Sequence, residues 1–127
     1  MEFHDSELAK TDAEVEFTRL TLYPAIFHRS VGNPGVDTGV TSSGEAELKF
    51  YGAAIHSGGD RAFGAIWKAR IEIDGHRHEG LIPVPWDVTG RVKASFELAS
   101  GSTLVISASR LTCTTVGKEA ELDEFGV

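Results

Sequence analysis

The stretch from Phe63 to Ile82 does most to constrain what this chain can fold into. Its first half, FGAIWKARIEI, sets Phe63, Ala65, Trp67, Ala69, Ile71 and Ile73 at strict period two. That is the spacing of a long half-buried β-strand, whose successive side chains point to opposite faces. The alternate face, Gly64, Ile66, Lys68, Arg70 and Glu72, turns charged as the strand nears Asp74-Gly75, a dipeptide that tolerates the positive φ values of a tight hairpin. A two-residue loop there puts Glu72 opposite Arg77 and Arg70 opposite Glu79, two opposite-charge pairs each favourable by about 0.2–1 kcal/mol. A four-residue loop would oppose Glu72 to Glu79. A three-residue loop would set Ile71 against Glu79 and Ile73 against Arg77, so the two-residue register is the one expected. It brings His76 and His78 beside Ile73 and Ile71, and the strict alternation assigns Trp67 to the core.

Alternation recurs along the chain. Glu14 to Phe27 is rich in strand formers, with Val15 and Phe17 on one parity and Leu20 and Leu22 on the other, which predicts a bulge near Thr18-Arg19 or a strand covered on both faces. Pro24 cannot donate to a ladder, so the strand should end, bend or run along an edge there. Ser30 to Gly44 contains four glycines and a proline and reads as a long loop. Ala46, Leu48 and Phe50 then face inward on another strand. Two prolines, Pro83 and Pro85, make residues 82–86 an edge or an extended crossover. Val92, Ala94, Phe96 and Leu98 define a further inward face. A turn at Ser100-Gly101-Ser102 would set Leu98 against Leu104 and Phe96 against Ile106, and a second parity switch is expected near Ser109-Arg110. Residues 3–8 fit either a short strand or a helical turn, and the acidic tail from Lys118 either a last strand or a frayed end.

Turn signals separating alternating segments, with no long helical period, predict an antiparallel all-β fold of seven or eight strands over residues 1–127 as a single domain. A small barrel is favoured over a two-sheet sandwich, because parity switches are how sheets curl.

Twelve Lys and Arg against nineteen Asp and Glu give a net charge of −7, which would repel a phosphate backbone unless the basic residues shared one face, so no nucleic-acid partner is expected. Cys113 is the sole cysteine, and an intrachain disulfide is impossible. Its apolar parity marks it as a buried, inert thiol. No run approaches the roughly eighteen apolar residues of a membrane helix, and MEFHDSELAK lacks the apolar core of a leader. The expectation is a cytoplasmic protein with no membrane partner.

The opening Phe3-His4-Asp5-Ser6 resembles the start of small bacterial all-β domains of unknown function, some of them associated with toxin-immunity loci. The likeness spans six residues and implies a fold, not an activity. His4-Asp5-Ser6 holds the residue types of a hydrolase triad, but adjacent residues do not converge as a triad must.

His76-Arg77-His78 is the one arrangement with metal-ligand spacing, since two histidines one residue apart on a strand project from the same face. It is similar to the pair in cupin metal sites. It departs from them where Ile82 and Pro83 stand in place of the expected Glu, and where Gly75 is immediately adjacent. A third ligand would have to come from His4, His28 or His56. Of the aromatics, Trp86, between Pro85 and Asp87, is the one expected to mark a ligand or partner surface. The function expected is therefore a non-enzymatic intracellular binding or interaction module without a cofactor, taking a protein partner or a second copy of itself. The alternative is a cupin-like metal-dependent small-molecule enzyme with a divalent metal on His76 and His78.

Overall fold

Asp74 and Gly75 both adopt positive φ, 50° and 86°, the geometry of a two-residue turn whose twist matches that of its flanking strands. Around it β5 (Gly64–Ile73) and β6 (His76–Glu79) pair in the expected register, with Ile73 opposite His76 and Arg70 opposite Glu79. Both ionic pairs form: Arg77 Nε donates to Glu72 Oε1 at 3.0 Å, and Arg70 Nε lies 3.4 Å from Glu79 Oε1.

A computed structural model of the chain describes residues 1–29, 40–57 and 63–123. The remaining strands are β1 (Glu7–Ala13), β2 (Phe17–Arg29), β3 (Val40–Tyr51), β4 (Ala54–Ser57), β7 (Trp86–Leu98) and β8 (Thr103–Asp123). All pairings are antiparallel, in the order β1-β2-β3-β8-β7-β5-β6, with β4 also on β8 and β1 returning to β5. The sheet thus closes into a small barrel-like ring, as the alternating pattern predicts.

The closure is stepped. One edge of β5 pairs with β7, while the other takes β1 at Gly64 and Ala65 and then β6 from Arg70 to Ile73. Residues 1–3 complete the seam between β6 and β2: Phe3 N donates to Gly80 O at 2.8 Å, Glu2 N to Ile26 O at 2.8 Å and Ile82 N to Met1 O at 3.0 Å. Residues 3–6 are neither strand nor helix but a tight turn, in which Ser6 N donates to Phe3 O at 2.9 Å and Asp5 takes φ 78°. A positive φ at the third residue is the type II form. The turn drives Phe3 into the core, where it meets Phe96 edge to face with centroids 5.6 Å apart.

Inward faces follow the alternation over most of the chain. Ala46, Leu48, Phe50, Val92, Ala94, Phe96 and Leu98 are all buried. The switch expected at Ser109-Arg110 is present: Leu104 and Ile106 are buried before it, Leu111 and Cys113 after it.

Four sequence expectations are corrected. The β2 bulge lies between Leu22 and Ala25, at Tyr23-Pro24, not at Thr18-Arg19; Thr18, Leu20 and Leu22 share the buried parity, and Val15 is fully exposed in the β1–β2 turn. Residues 40–44 belong to β3, leaving only 30–39 of the expected loop, outside the described residues. In the β7–β8 hairpin Phe96 faces Leu104 and Ala94 faces Ile106, because the loop is Ala99-Ser100-Gly101, closed by Gly101 N to Leu98 O and Leu98 N to Ser102 O, both 2.9 Å. Its third residue needs positive φ, and Gly101 at 96° supplies it. Trp67, the fourth, lies outside the core. The tail forms no separate strand: β8 continues through it to Asp123.

Candidate interaction surface

Trp67 is not in the core. The β5–β7 register reads Ile66 opposite Leu98 and then Lys68 opposite Glu97, so Trp67 is the extra residue of a bulge and successive side chains, Trp67 and Lys68, are both exposed. Ile66 is buried before the bulge, and Ala69 and Ile71 after it. Trp67 is 64% exposed and Phe63 67%, with the exposed Ala65 between them. The ring of His4 stands against Trp67, centroids 5.7 Å apart. An apolar stripe therefore runs along the first half of β5.

Beyond it the outer face of β5 and β7 is a lattice of charge. Lys68 pairs in register with Glu97, Arg70 with Ser95 and Glu72 with Lys93. Arg70 Nε, though close to Glu79, is misaligned and makes no hydrogen bond. A depression of about 130 Å³ is lined by Lys68, Arg70, Ser95 and Glu97, and a wider one of about 640 Å³ by Glu72, Asp74, Gly75, Arg91 and Lys93. Neither is walled by apolar side chains, as pockets for small molecules are.

Of the histidine pair, His78 stands against Trp86. His78 shares the side of its opposite residue, buried Ile71, and its ring packs edge-on to Trp86 with centroids 4.9 Å apart. Trp86 opens β7 opposite Cys113 and is half-buried against the core. His76, opposite Ile73, is exposed. The other described histidine side chains are engaged elsewhere: His4 Nδ1 lies 3.4 Å from Asp5 Oδ1, and His56 Nε2 is 2.8 Å from Ser107 Oγ. The side chain of His28 lies outside the described residues. Among the described residues no three His, Cys, Asp or Glu side chains converge as a metal site requires.

Two further groups are held by the fold. Ser6 is fully buried; its hydroxyl donates to Glu2 O at 2.5 Å and accepts from Ile26 N at 3.0 Å. It is therefore a structural link, while His4 beside it turns to Asp5. Burial pushes the Cys113 thiol up to about 12, so it stays neutral and unreactive at ordinary pH. At the surface, Arg110 donates to both oxygens of Asp87 at 3.0 and 2.7 Å and holds that carboxyl below its usual range.

Compared with protein-family models, curated proteins and solved structures, the chain matches none. Its surface chemistry is what bears on function.

Proposed function

We propose that this domain is a non-enzymatic binding module that meets a protein partner through the outer face of β5, with Phe63 and Trp67 as its apolar contacts. The observation that carries this reading is the exposure of both aromatic side chains, Trp67 on β5 and Phe63 immediately before it. Exposed aromatics with a polar surround are the composition of interface anchors, and truncating such an anchor commonly costs about 2 kcal/mol or more of binding. The net charge of −7 supports a protein over a nucleic acid. The charges on the outer face of β5 and β7 also speak against a membrane-spanning barrel, whose outer face is apolar. The cytoplasm and the absence of a cofactor belong to the same reading.

Site-specific photocrosslinking tests it. Benzoylphenylalanine replaces Phe63 in one variant and the exposed Lys10 of β1 in another, and each is irradiated in the native cell. Adducts with protein at position 63 well above those at position 10 are expected. Equal, background-level adducts at both positions would refute the reading.

A further inference from the structure

We infer that the partner seated on this face is a second copy of the same chain, docked sheet to sheet over β5 and β7; the inference rests on the interaction-module reading above. Charge complementarity between two copies of this face points to that occupant. The two strands present three rows: Lys68 with Glu97, Arg70 with Ser95, and Glu72 with Lys93. Cations and carboxylates occupy opposite diagonals of this patch. A two-fold axis in the interface, running along the strands midway between β5 and β7, lays Lys68 over Glu97 of the second copy, Glu72 over Lys93 and Arg70 over Ser95. Every row meets its complement, as an isologous contact requires. An axis across the strands would set Arg70 on Arg70, and is disfavoured.

Three further observations fit this occupant. The patch carries three cations against two carboxylates, whereas the chain as a whole is at −7, so this face lacks the net negative charge that would repel a second copy. Neither Lys68 nor Lys93 forms an ion pair with a described residue, although each stands opposite a glutamate. Both ammonium groups are thus available to a facing carboxylate. Trp67, at the end of the patch, falls in the same arrangement over the exposed turn at Ala99 and adds apolar burial at the rim of the contact. Sheets packed face to face in this way align within about 30° and lie about 10 Å apart.

Sedimentation equilibrium of the full chain decides the matter, with circular dichroism confirming that each variant is folded. The wild type is expected to dimerise with a dissociation constant that rises with salt. Lys68→Glu and Glu97→Lys are each expected to weaken the homodimer by roughly tenfold or more, since symmetry repeats each like-charge contact twice. Mixing the two variants in equal amounts restores association. In the mixed dimer the carboxylate introduced at position 68 of one chain faces the ammonium introduced at position 97 of the other, and the second contact keeps the wild-type Lys68 over Glu97. Mixing cannot mend the like-charge pair inside either chain, so rescue reports an intermolecular contact. Glu72→Lys and Lys93→Glu form a second such pair should a first-pair variant fail to fold. A wild type monomeric at about 100 μM, or a mixture no tighter than its components, overturns the inference. If the chain is monomeric while position 63 crosslinks a different protein, the second-copy inference falls and the interaction-module reading stands. If the chain is monomeric and position 63 crosslinks nothing, both fall.

Discussion

Replacing Ser6 by Ala should destabilise the domain far more than the loss of one oxygen suggests. The Ser6 hydroxyl is fully buried and bridges two backbone groups that belong to different parts of the seam, Glu2 O in the closing segment and Ile26 N on β2. Alanine leaves an acceptor and a donor without this partner in a site where water does not enter easily. Each unsatisfied group costs about 1–3 kcal/mol. Both bonds are only part-buried, which argues for the lower end, and removing the hydroxyl also removes its own desolvation cost. The expected loss is about 2–3 kcal/mol. For a chain of 127 residues that lowers the midpoint by roughly 6–12 °C, at about 3–4 °C per kcal/mol for a domain of this size.

Urea denaturation measures it directly, as a shift in midpoint at unchanged m-value. Hydrogen exchange localises it, since the amide of Ile26 should lose protection in Ser6→Ala while amides of the β7–β8 hairpin keep theirs until the global limit. A loss below about 0.5 kcal/mol, the range of ordinary surface substitutions, would show that the seam does not depend on this hydroxyl.

Other consequences are as accessible. Phe96→Ala, which empties a fully buried site against Phe3, should cost about 3–5 kcal/mol, whereas Trp67→Ala should stay within about 1 kcal/mol by the same denaturation assay; a reversed order would return Trp67 to the core. Cys113 should resist Ellman's reagent at neutral pH until the chain unfolds. Because its folded pKa of about 12 exceeds the ordinary 9.0, its contribution is intact below pH 9 and is lost as pH rises toward 12, at up to about 1.4 kcal/mol per pH unit. Cys113→Ala should flatten that slope. Metal analysis of the purified chain is expected to give background values, unchanged in the His76→Ala, His78→Ala double variant; stoichiometric zinc lost on that substitution would revive the enzyme alternative.

The β5–β6 hairpin is legible in the sequence because three independent signals agree there. The turn dipeptide, the ionic pairs and the apolar face each select one register, and the wrong loop lengths break at least one of them. The β7–β8 hairpin lacks that redundancy. Shifting it by two residues keeps every inward side chain inward, so the hydrophobic pattern is silent, and only the need for positive φ at the third loop residue selects Gly101 for that place. In β2 the parity change between Phe17 and Leu20 suggests a bulge, but Thr18 is itself an inward residue, and threonine does not announce its face. The seam is invisible for a different reason. Residues 1–6 act through backbone hydrogen bonds and one hydroxyl, and neither leaves a periodic trace. Phe3-His4-Asp5-Ser6 stands out in the sequence, yet the roles of its parts, a core ring, a positive-φ turn residue and a buried bridge, appear only in three dimensions.

The outward turn of Trp67 is hidden in the sequence by apolar residues on both parities of β5. Phe63, Ala65 and Trp67 extend the alternation of Ala69, Ile71 and Ile73 backwards without a break, so counting by two assigns all six to one face. The single contrary signal is Ile66, an apolar residue on the side that otherwise holds Lys68, Arg70 and Glu72. Ile66 must face inward to meet Leu98, and Ile71 must face inward to meet Ala94; five residues apart, they have opposite parity and cannot share a face on a regular strand. An extra residue between them is the only solution that buries both. Placing that residue at Trp67 sets the indole and the Lys68 ammonium outward side by side and brings Lys68 into register with Glu97. The bulge that resolves a conflict in the core is thus the same device that sets the indole outward beside the charged rows, and deleting Trp67, which makes β5 regular, should remove the indole while leaving Ile66 opposite Leu98 and Lys68 opposite Glu97.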